Sequence, residues 1–392
     1  YTIDHTALTY VFDTQGKRYL DFFAGAGALN YGHNPEPIKR KVMEYLESDG
    51  IVHALDAYTA AKRDFLTHFE KTILAPRGLE HKVQFCGPTG TNAVEAALKL
   101  ARKVTKRTGL FAFTGAYHGM TLGSSAVTSS RGVRSAAGIP LGHTTFIPYP
   151  EGPKGAFDSL AFMERMLEDS CSGVDVPAAV IVESAQMDGG IYVASEEWLR
   201  GLRKLTEKHG ILLIVDDIQA GCGRSGRFFS FERAGIVPDL VTLSKSIGGY
   251  GFPMSLLLMK PALDVWRPGE HTGTFRGNQV AFVAATAALD YWAQDDFTQG
   301  LTAKSRLLGE LTRQAAPGLE VRGLGMAHGI DLNGHGGHER GLRVQQRCFQ
   351  RGLILELCGR DDTVIKLLPP LTTSVDELRE GTAILAAALS EG

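Results

Sequence analysis

Short runs of apolar residues alternate with helix-like stretches from residue 83 onward. The helix-like stretches, in which apolar positions recur every three or four residues, include Asn92–Thr105, Phe157–Asp169 and Glu196–His209. Strands that are apolar at every position are buried on both faces, and intervening helices favour a mostly parallel sheet covered on both sides. We therefore predict an α/β protein whose sheet has seven strands: Val83–Phe85, Leu110–Phe113, Thr145–Ile147, Ala178–Val182, Ile211–Val215, Leu240–Leu243 and Ser255–Met259.

Two further patterns complete this part of the chain. The last two apolar runs, 240–243 and 255–259, are too close in sequence for a helical crossover, so one of these strands is expected to run antiparallel. Towards the N-terminus, the pattern of residues 9–23 predicts a hairpin. Residues 36–48 and 59–74 have helical periodicity.

The C-terminal part has a more mixed pattern. A long helix is predicted over residues 278–294. Helices and short strands follow it, the strands at Glu320–Arg322, Ala327–Leu332 and Val364–Leu368, which indicates an α+β arrangement. We predict a large domain of residues 46–277 and a smaller domain built from residues 1–45 and 278–392.

Composition excludes several classes of function. The 392 residues carry a formal net charge of −2, so no basic excess points to nucleic acid or to an anionic membrane. No apolar run reaches the roughly 18 residues needed to cross a bilayer, and the first residues lack a secretion pattern. Five scattered cysteines without a Cys-x-x-Cys pair favour reduced thiols and a cytoplasmic location.

Candidate chemistry collects where the predicted strands end, because ligands of parallel α/β sheets bind beyond the carboxyl ends of the strands. Lys245 follows the strand Leu240–Leu243 directly, and a Gly-rich segment follows Lys245. Taken alone, such a lysine is typical of a strand that ends at the protein surface. The neighbouring strand ends decide whether Lys245 has a further role.

The segment CGPTGTNAVEAALKLAR follows the first predicted strand, Val83–Phe85. Asn92 is expected to begin a helix, and Gly90 and Thr91 would present backbone N–H groups at its N-terminus. Such a terminus can bind a phosphate, and an ordinary helix start capped by threonine is the alternative. The lysine of a nucleotide-triphosphate loop is missing.

Two other strand ends offer an aromatic loop and carboxylates. Tyr117 and His118 lie between glycines, which suits stacking on a flat ligand or simply a packed loop. A carboxylate at the end of a buried strand needs a cationic partner or a metal, and Asp216 is the clearest example. No histidine stands at metal-ligand spacing from it, so no metal is expected. The strand-end carboxylates are Glu183, Asp188, Asp216 and Asp217.

Two glycine-rich motifs are interpreted as segments that bind no ligand. GCGRSG, residues 221–226, matches G-x-G-x-x-G, but it follows a late strand and opens no clean helix, so we reject a dinucleotide site. His335 and His338 in GHGGHERG are interpreted as part of a solvated loop and not as metal ligands.

The strand-end residues together match the needs of pyridoxal 5′-phosphate. A lysine can bind the aldehyde covalently, and an aspartate can pair with the protonated ring nitrogen. A loop aromatic can stack on the ring, and a helix N-terminus can hold the phosphate. Lys245 would also need a lowered pKa, which an enclosed site provides.

With these residues in view, the chain resembles the class III aminotransferases, a family of pyridoxal-phosphate enzymes. The resemblance covers almost the whole chain and implies the type I fold of pyridoxal-phosphate transferases and a homodimer with active sites at its interface. The motifs that carry it are PTGTNAVEAALKLAR, GAYHGMTLG, VESAQMDGG, IVDDIQAGCGRSG, LSKS and TGTFRGN.

The resemblance assigns a role to each matching position. Lys245 and Asp216 would be the catalytic lysine and the partner of the ring nitrogen. Tyr117 would stack on one face of the ring and Ile218 would pack on the other. The remaining cofactor residues would be Gly90 and Thr91 at the phosphate, His118 in the aromatic loop, Glu183 as a supporting carboxylate, Gln219 at the phenolic oxygen and Thr274 at the phosphate of the other subunit.

Within the family, segments such as FFAGAGALNYGHN are most similar to diaminobutyrate–2-oxoglutarate transaminases. The resemblance implies transfer of the amino group of L-glutamate to L-aspartate 4-semialdehyde. Lys366 stands where ornithine-type relatives have an arginine for the donor carboxylate, Asp188 replaces the usual partner glutamate, and Ala26 replaces a substrate tyrosine. Arg276 is a further candidate for carboxylate recognition, or else an interface residue.

Two alternatives remain open at this level. The first is another class III ω-aminotransferase or an aminomutase on the same scaffold. The second is a non-catalytic binding protein that kept the fold. The expected partners are a small-molecule amino donor and an aldehyde or keto acceptor, with no nucleic acid and no membrane.

Overall fold

The computed structural model describes residues 2–391 and follows the predicted alternation of strands and helices. The strands are β1 (Ile3–Ala7), β2 (Tyr10–Asp13), β3 (Arg18–Asp21), β4 (Lys82–Gly87), β5 (Leu110–Phe113), β6 (Thr144–Ile147), β7 (Ala179–Val182), β8 (Ala185–Gln186), β9 (Tyr192–Val193), β10 (Leu212–Asp216), β11 (Leu240–Leu243), β12 (Ser255–Met259), β13 (Glu320–Leu324), β14 (Ala327–Asp331), β15 (Leu353–Ile354), β16 (Glu356–Cys358) and β17 (Val364–Leu367). The helices are α1 (Ala24–Gly27), α2 (Glu36–Glu47), α3 (Ala60–Phe69), α4 (Gly90–Thr105), α5 (Leu122–Val127), α6 (Arg131–Ser135), α7 (Ser159–Glu168), α8 (Glu196–Lys208), α9 (Gln279–Leu289), α10 (Asp295–Ala315), α11 (Gly337–Gln350) and α12 (Val375–Ser390).

A seven-stranded sheet forms the centre of the molecule, in the order β4-β12-β11-β10-β7-β5-β6. Strand β12 runs antiparallel to both of its neighbours, which confirms the prediction for the closely spaced pair. The other pairs are parallel. Alternate residues of β7 enter two separate cores, with Val180 and Val182 on one face and Ala179 and Ile181 on the other. The sheet is therefore buried on both faces, as continuous apolar strands require.

Two smaller four-stranded sheets lie outside the central one. One is antiparallel and has the order β13-β14-β17-β16. In the other, the predicted N-terminal hairpin β2–β3 is joined by β1 and by β15, which pairs parallel with β3. The hairpin thus shares a sheet with a strand from the C-terminal part. The predicted domain ranges stay predictions, and their ends Tyr1 and Gly392 lie outside the described residues.

Some elements differ from the sequence-based expectations. The helix predicted over 278–294 ends at Leu289 and continues only as a 3₁₀ turn, Asp290–Ala293. The Gly-rich segment with His335 and His338 is not a loop throughout, because α11 begins at Gly337 and includes His338. The apolar residues Val344 and Cys348 bury one face of this helix in the smaller core. No helix within residues 2–391 is long and apolar enough to cross a membrane.

Candidate active site

A cavity of about 470 Å³ lies at the carboxyl ends of β7, β10 and β11. Four of the predicted site residues do not line it: Ala26, Thr274, Arg276 and Lys366. The other predicted residues line it together, and they are Gly90, Thr91, Tyr117, His118, Glu183, Asp188, Asp216, Ile218, Gln219 and Lys245. The fold therefore gathers residues from five separate segments of the chain around one space.

Lys245 enters this cavity directly after β11. Ser244 is extended, and the chain then turns into a 3₁₀ helix over Lys245–Gly248. The backbone of Lys245 has φ +53°, a left-handed conformation that costs a residue with a side chain about 1–3 kcal/mol and is typical of functional sites. Burial lowers the pKa of Lys245, against the opposing effect of Asp188. A lowered pKa makes the neutral amine available as a nucleophile and proton carrier.

Asp216, the last residue of β10, is held in place by three groups. Its Oδ1 accepts hydrogen bonds from the Thr242 hydroxyl at 3.1 Å and from the Ile218 N–H at 3.2 Å. Its Oδ2 lies 2.6 Å from Nδ1 of His118, whose side chain is fully buried. Nε2 of His118 has no hydrogen-bond partner among residues 2–391. The sequence placed His118 in the cofactor loop, and the structure shows that its ring contacts the carboxylate of Asp216.

The N-terminus of α4 points its free N–H groups at the cavity. The helix begins at Gly90, two residues before the predicted start, with Thr89 as its N-cap residue. The Asn92 side chain accepts hydrogen bonds from the Thr89 N–H and hydroxyl. The first N–H groups of a helix have no partner within it, so those of Gly90 and Thr91 are available for an anion.

Sequence reasoning did not identify two hydroxyl groups that lie near the N-terminus of α4. The Thr91 hydroxyl lies 2.7 Å from those of Thr121 and Ser124, in the segment that follows the Tyr117 loop. A Cβ at Gly90 would lie 2.8 Å from Cδ1 of Ile218, so the Ile218 side chain would have to shift to accept one. The helix end and Ile218 thus approach each other closely enough to form one continuous wall.

Glu183 connects the aromatic loop to the end of β7. Its Oε1 accepts a hydrogen bond from the backbone N–H of Tyr117 at 2.9 Å. Burial raises the pKa of Glu183 well above its ordinary range, and the nearby carboxylate of Asp216 adds to this effect. Glu183 therefore anchors the loop that carries Tyr117 at the cavity.

Lys366 lies behind the cavity wall and joins two carboxylates. Its Nζ is 2.7 Å from Oδ1 of Asp188, so the structure brings together two of the three positions at which the sequence departs from ornithine-type relatives. It is also 2.9 Å from Oε2 of Glu356, close enough for an ion pair although not aligned as a hydrogen bond. Sequence reasoning missed Glu356, which stands on a separate short strand.

The remaining predicted residues, Ala26, Thr274 and Arg276, do not line the cavity. Ala26 contributes its backbone, since its carbonyl accepts a hydrogen bond from Nε2 of Gln219 at 2.7 Å. Thr274 is exposed. Arg276 donates to the His271 carbonyl and lines a different cavity. Their predicted roles towards cofactor and substrate stay predictions.

The groups around the cavity match the chemistry of pyridoxal phosphate. The helix N-terminus at Gly90 offers N–H donors for a phosphate. Asp216 and Lys245 bring a carboxylate and an amine to the same cavity, the groups needed for the ring nitrogen and the aldehyde of one flat molecule. Tyr117 and Ile218 supply apolar surface between them. The residues present therefore fit this cofactor.

Comparisons with known proteins agree with this chemistry. The family described as class III aminotransferases matches residues 1–389. A diaminobutyrate–2-oxoglutarate transaminase of Streptomyces coelicolor is 52% identical and covers 99% of this chain and 93% of its own length. One of Nocardia farcinica is 54% identical and covers 96% of this chain and 87% of its own length.

Solved structures support the fold. A Bacillus anthracis aminotransferase superposes with a TM-score of 0.88 at 23% identity, and covers all of this chain and 93% of that one. An ornithine aminotransferase from Toxoplasma gondii superposes with a TM-score of 0.86 at 23% identity, and covers all of this chain and 89% of that one. At this identity the likeness concerns the fold alone.

Proposed function

This chain belongs to the class III aminotransferase family, and from that premise we propose that it transfers the amino group of L-glutamate to the aldehyde carbon of L-aspartate 4-semialdehyde. The products are L-2,4-diaminobutyrate and 2-oxoglutarate. The enzyme is a transaminase that depends on pyridoxal phosphate. The names of the relatives at 50–54% identity support the choice of substrates.

One observation carries the chemistry: Lys245 and Asp216 line a single cavity from the ends of adjacent parallel strands. When bound, pyridoxal phosphate supplies an aldehyde that takes up the amino group and a ring that stores the electrons of a broken C–H bond. Lys245 would take the proton from the substrate carbon that bears the amine and pass it to the aldehyde carbon of the cofactor, which its lowered pKa allows. Asp216, fixed by His118 and Thr242, would keep a proton on the ring nitrogen of the cofactor.

The other cavity residues bind and orient. Gly90 and Thr91 would hold the phosphate through N–H groups and a hydroxyl, and Gln219 would contact the phenolic oxygen. Tyr117 and Ile218 would cover the two faces of the ring and keep water away from the reacting atoms. Asp188 would face the substrate, with Lys366 behind it.

We also propose that two copies of the chain form the active enzyme in the cytoplasm. The segment with Thr274 is exposed on the single chain, and Phe275 beside it is 75% exposed. Other apolar side chains are exposed as well, including Met120 next to the cavity. Apolar exposure of this kind is typical of a surface that a partner covers. In the dimer, Thr274 would reach the phosphate of the partner's cofactor.

Replacement of Lys245 by alanine tests the proposed chemistry. We expect the purified protein to lose its visible absorbance near ~400 nm and its activity, because no amine remains to bind the aldehyde. Lys154→Ala, at an exposed position, is the control and should keep both. An active Lys245→Ala variant would contradict the assignment.

A panel of amino donors and acceptors tests the substrates and separates the alternatives. The wild type should produce 2-oxoglutarate from glutamate and transfer the amino group to aspartate 4-semialdehyde. Turnover of another amine without a glutamate half-reaction would favour a different ω-aminotransferase or an aminomutase. A protein without any bound cofactor would favour a non-catalytic binding protein.

A further inference from the structure

Ser246, the residue after Lys245, has a buried hydroxyl that both donates and accepts a hydrogen bond. The residue is 3% exposed. Its Oγ donates to the carbonyl of Gly27 at 2.7 Å and accepts from the backbone N–H of Asn30 at 3.1 Å. These partners lie 219 and 216 positions earlier in the chain. The hydroxyl therefore ties the turn that carries Lys245 to the N-terminal part of the chain.

The segment to which Ser246 is tied has an unfavourable backbone conformation. All four residues of Ala24–Gly27 are left-handed, with φ of +47°, +57°, +56° and +79°. Such backbone is unfavourable for residues with a side chain, so the two alanines of the segment need support from outside it. The first N–H of the segment donates to Asp21 at 3.0 Å, and its third carbonyl accepts from Gln219 at 2.7 Å. The hydroxyl of Ser246 holds the fourth carbonyl, so the end of the segment and the turn are fixed to each other.

The turn Lys245–Gly248 is strained as well. The backbone of Lys245 has φ +53°, and strained backbone persists only where its surroundings hold it. Among residues 2–391, Ser246 makes the only side-chain hydrogen bonds within this turn. Without its hydroxyl the backbone of Lys245 would relax. The amine stands at the end of a long side chain, so a small rotation of the backbone would move the amine further than it moves the backbone.

We propose that Ser246 is a positioning residue for Lys245: by holding the turn against the Gly27 carbonyl, it keeps the Lys245 amine where it can reach the cofactor aldehyde and the substrate carbon. The inference rests on the proposed function, in which Lys245 binds the aldehyde and carries the proton. Ser246 does not line the cavity, so it acts through Lys245 and not by touching cofactor or substrate.

Cofactor affinity in two backgrounds tests whether Ser246 acts through Lys245. Equilibrium dialysis of the cofactor-free chain against pyridoxal phosphate gives the dissociation constant. Ser246→Ala should weaken binding by about tenfold, the size of one or two hydrogen bonds, because the amine must then be ordered before it can bind the aldehyde. In the Lys245→Ala background, where no covalent bond forms, Ser246→Ala should change the affinity by less than about twofold. Equal losses in both backgrounds would show that Ser246 merely supports the cavity.

The kinetics of the glutamate half-reaction test the placement of the proton carrier. Ser246→Ala should lower kcat by about tenfold to a hundredfold, because misplacement of a reacting group by about 1 Å has an effect of this size. KM should stay within about threefold, since Ser246 contacts no substrate. The isotope effect on kcat with glutamate deuterated at the α-carbon should increase, because proton transfer becomes the slowest step. A fall in kcat without a larger isotope effect would contradict the role of Ser246.

Two further variants separate the hydrogen bond from packing and stability. Ser246→Cys fills similar space but donates only weakly, so its affinity and kcat should lie between those of the wild type and Ser246→Ala. It also carries the same comparisons if Ser246→Ala does not fold. Thr382→Val is the control: it loses an equally buried hydroxyl, which donates to the Leu378 carbonyl at 2.7 Å. It should change neither cofactor affinity nor the isotope effect.

The outcomes for Ser246 and for the proposed substrates are distinct. Wild-type values in Ser246→Cys would show that volume matters and not the hydrogen bond, and would overturn the inference. The dialysis experiment uses no substrate. If the wild type does not accept glutamate, the proposed substrates are contradicted, while the two dissociation constants still decide the role of Ser246.

Discussion

At the scale of single residues, the strand-end carboxylates Asp216 and Asp217 have different surroundings although both are buried. Asp216 is almost fully buried, yet His118, Thr242 and a backbone N–H surround its two oxygens. Its neighbour Asp217 is completely buried, and its Oδ1 has no partner among residues 2–391. Two adjacent aspartates thus have opposite environments because successive strand residues point to opposite faces. One faces the cofactor site, and the other faces the core.

The environment of Asp217 makes the stability of the protein dependent on pH. Burial raises the pKa of Asp217 to about 7, despite a hydrogen bond from the Ser230 N–H. The unfolded chain releases this proton near pH 4, so between about pH 4 and 7 the folded state binds more protons. The contribution of this proton to stability is therefore present at low pH and is lost as pH rises through 7.

Asp217→Asn, which cannot ionise, tests this contribution. The melting temperature of the variant relative to the wild type should rise by about 2–4 °C between pH 5 and pH 8. Asp175→Asn, at an exposed aspartate, is the control and should show no such trend. A difference between Asp217→Asn and the wild type that does not change with pH would show that Asp217 ionises normally.

At the scale of elements, close packing of backbone holds the lysine-bearing turn in place. Gly249 follows the turn Lys245–Gly248 and lies against α9, where a Cβ would be 2.6 Å from the carbonyl oxygen of Ala284. Its φ of +74° also disfavours a side chain. The small residues of α9 and Gly249 together let the turn approach the helix. The position of Lys245 therefore depends on an element outside the seven-stranded sheet.

Gly249→Ala should consequently destabilise the protein by about 3 kcal/mol or more, since backbone must move to make room. Gly235 is a matched control, because it has a similar φ of +64° but open space around its Cβ position. Gly235→Ala should cost only about 1 kcal/mol, the conformational part of the effect. Denaturant unfolding measures both values, and equal costs would show that the contact with α9 is unimportant.

At the scale of the whole molecule, the proposed dimer would complete the site. Thr274 and Arg276 do not line the cavity of their own chain, although the family resemblance assigns Thr274 to a cofactor phosphate. Both statements hold if Thr274 contacts the cofactor phosphate in the site of the partner subunit. The exposed apolar side chain of Phe275 lies between them, with the ring of His53 5.2 Å away.

Phe275→Asp should therefore weaken both assembly and cofactor binding. We expect a shift from dimer to monomer at micromolar concentration and a loss of cofactor affinity of at least about tenfold, because a charge would have to be buried in the interface. Light scattering and an absorbance titration measure the two effects. Leu342→Asp, at another exposed apolar position, should change neither. A monomeric variant with full cofactor affinity would contradict the contribution of Thr274.

The order of strands and helices followed from the sequence, because buried strands and amphipathic helices have distinct periods of hydrophobicity. The same reasoning found Lys245, Asp216 and the helix α4, although not its first two residues, since polar residues at the ends of apolar strands lie at one edge of a parallel sheet. The local sequence is enough to identify these residues, because each one ends an apolar run or begins a helix beside glycines.

Only the tertiary structure decided which residues of distant segments contact one another. The contact of His118 with Asp216 spans 98 residues, and that of Lys366 with Asp188 spans 178. The register of two short strands places Glu356 beside Lys366, and burial in the core raises the pKa of Asp217. No local pattern encodes such neighbours, because burial and distance are properties of the folded chain as a whole.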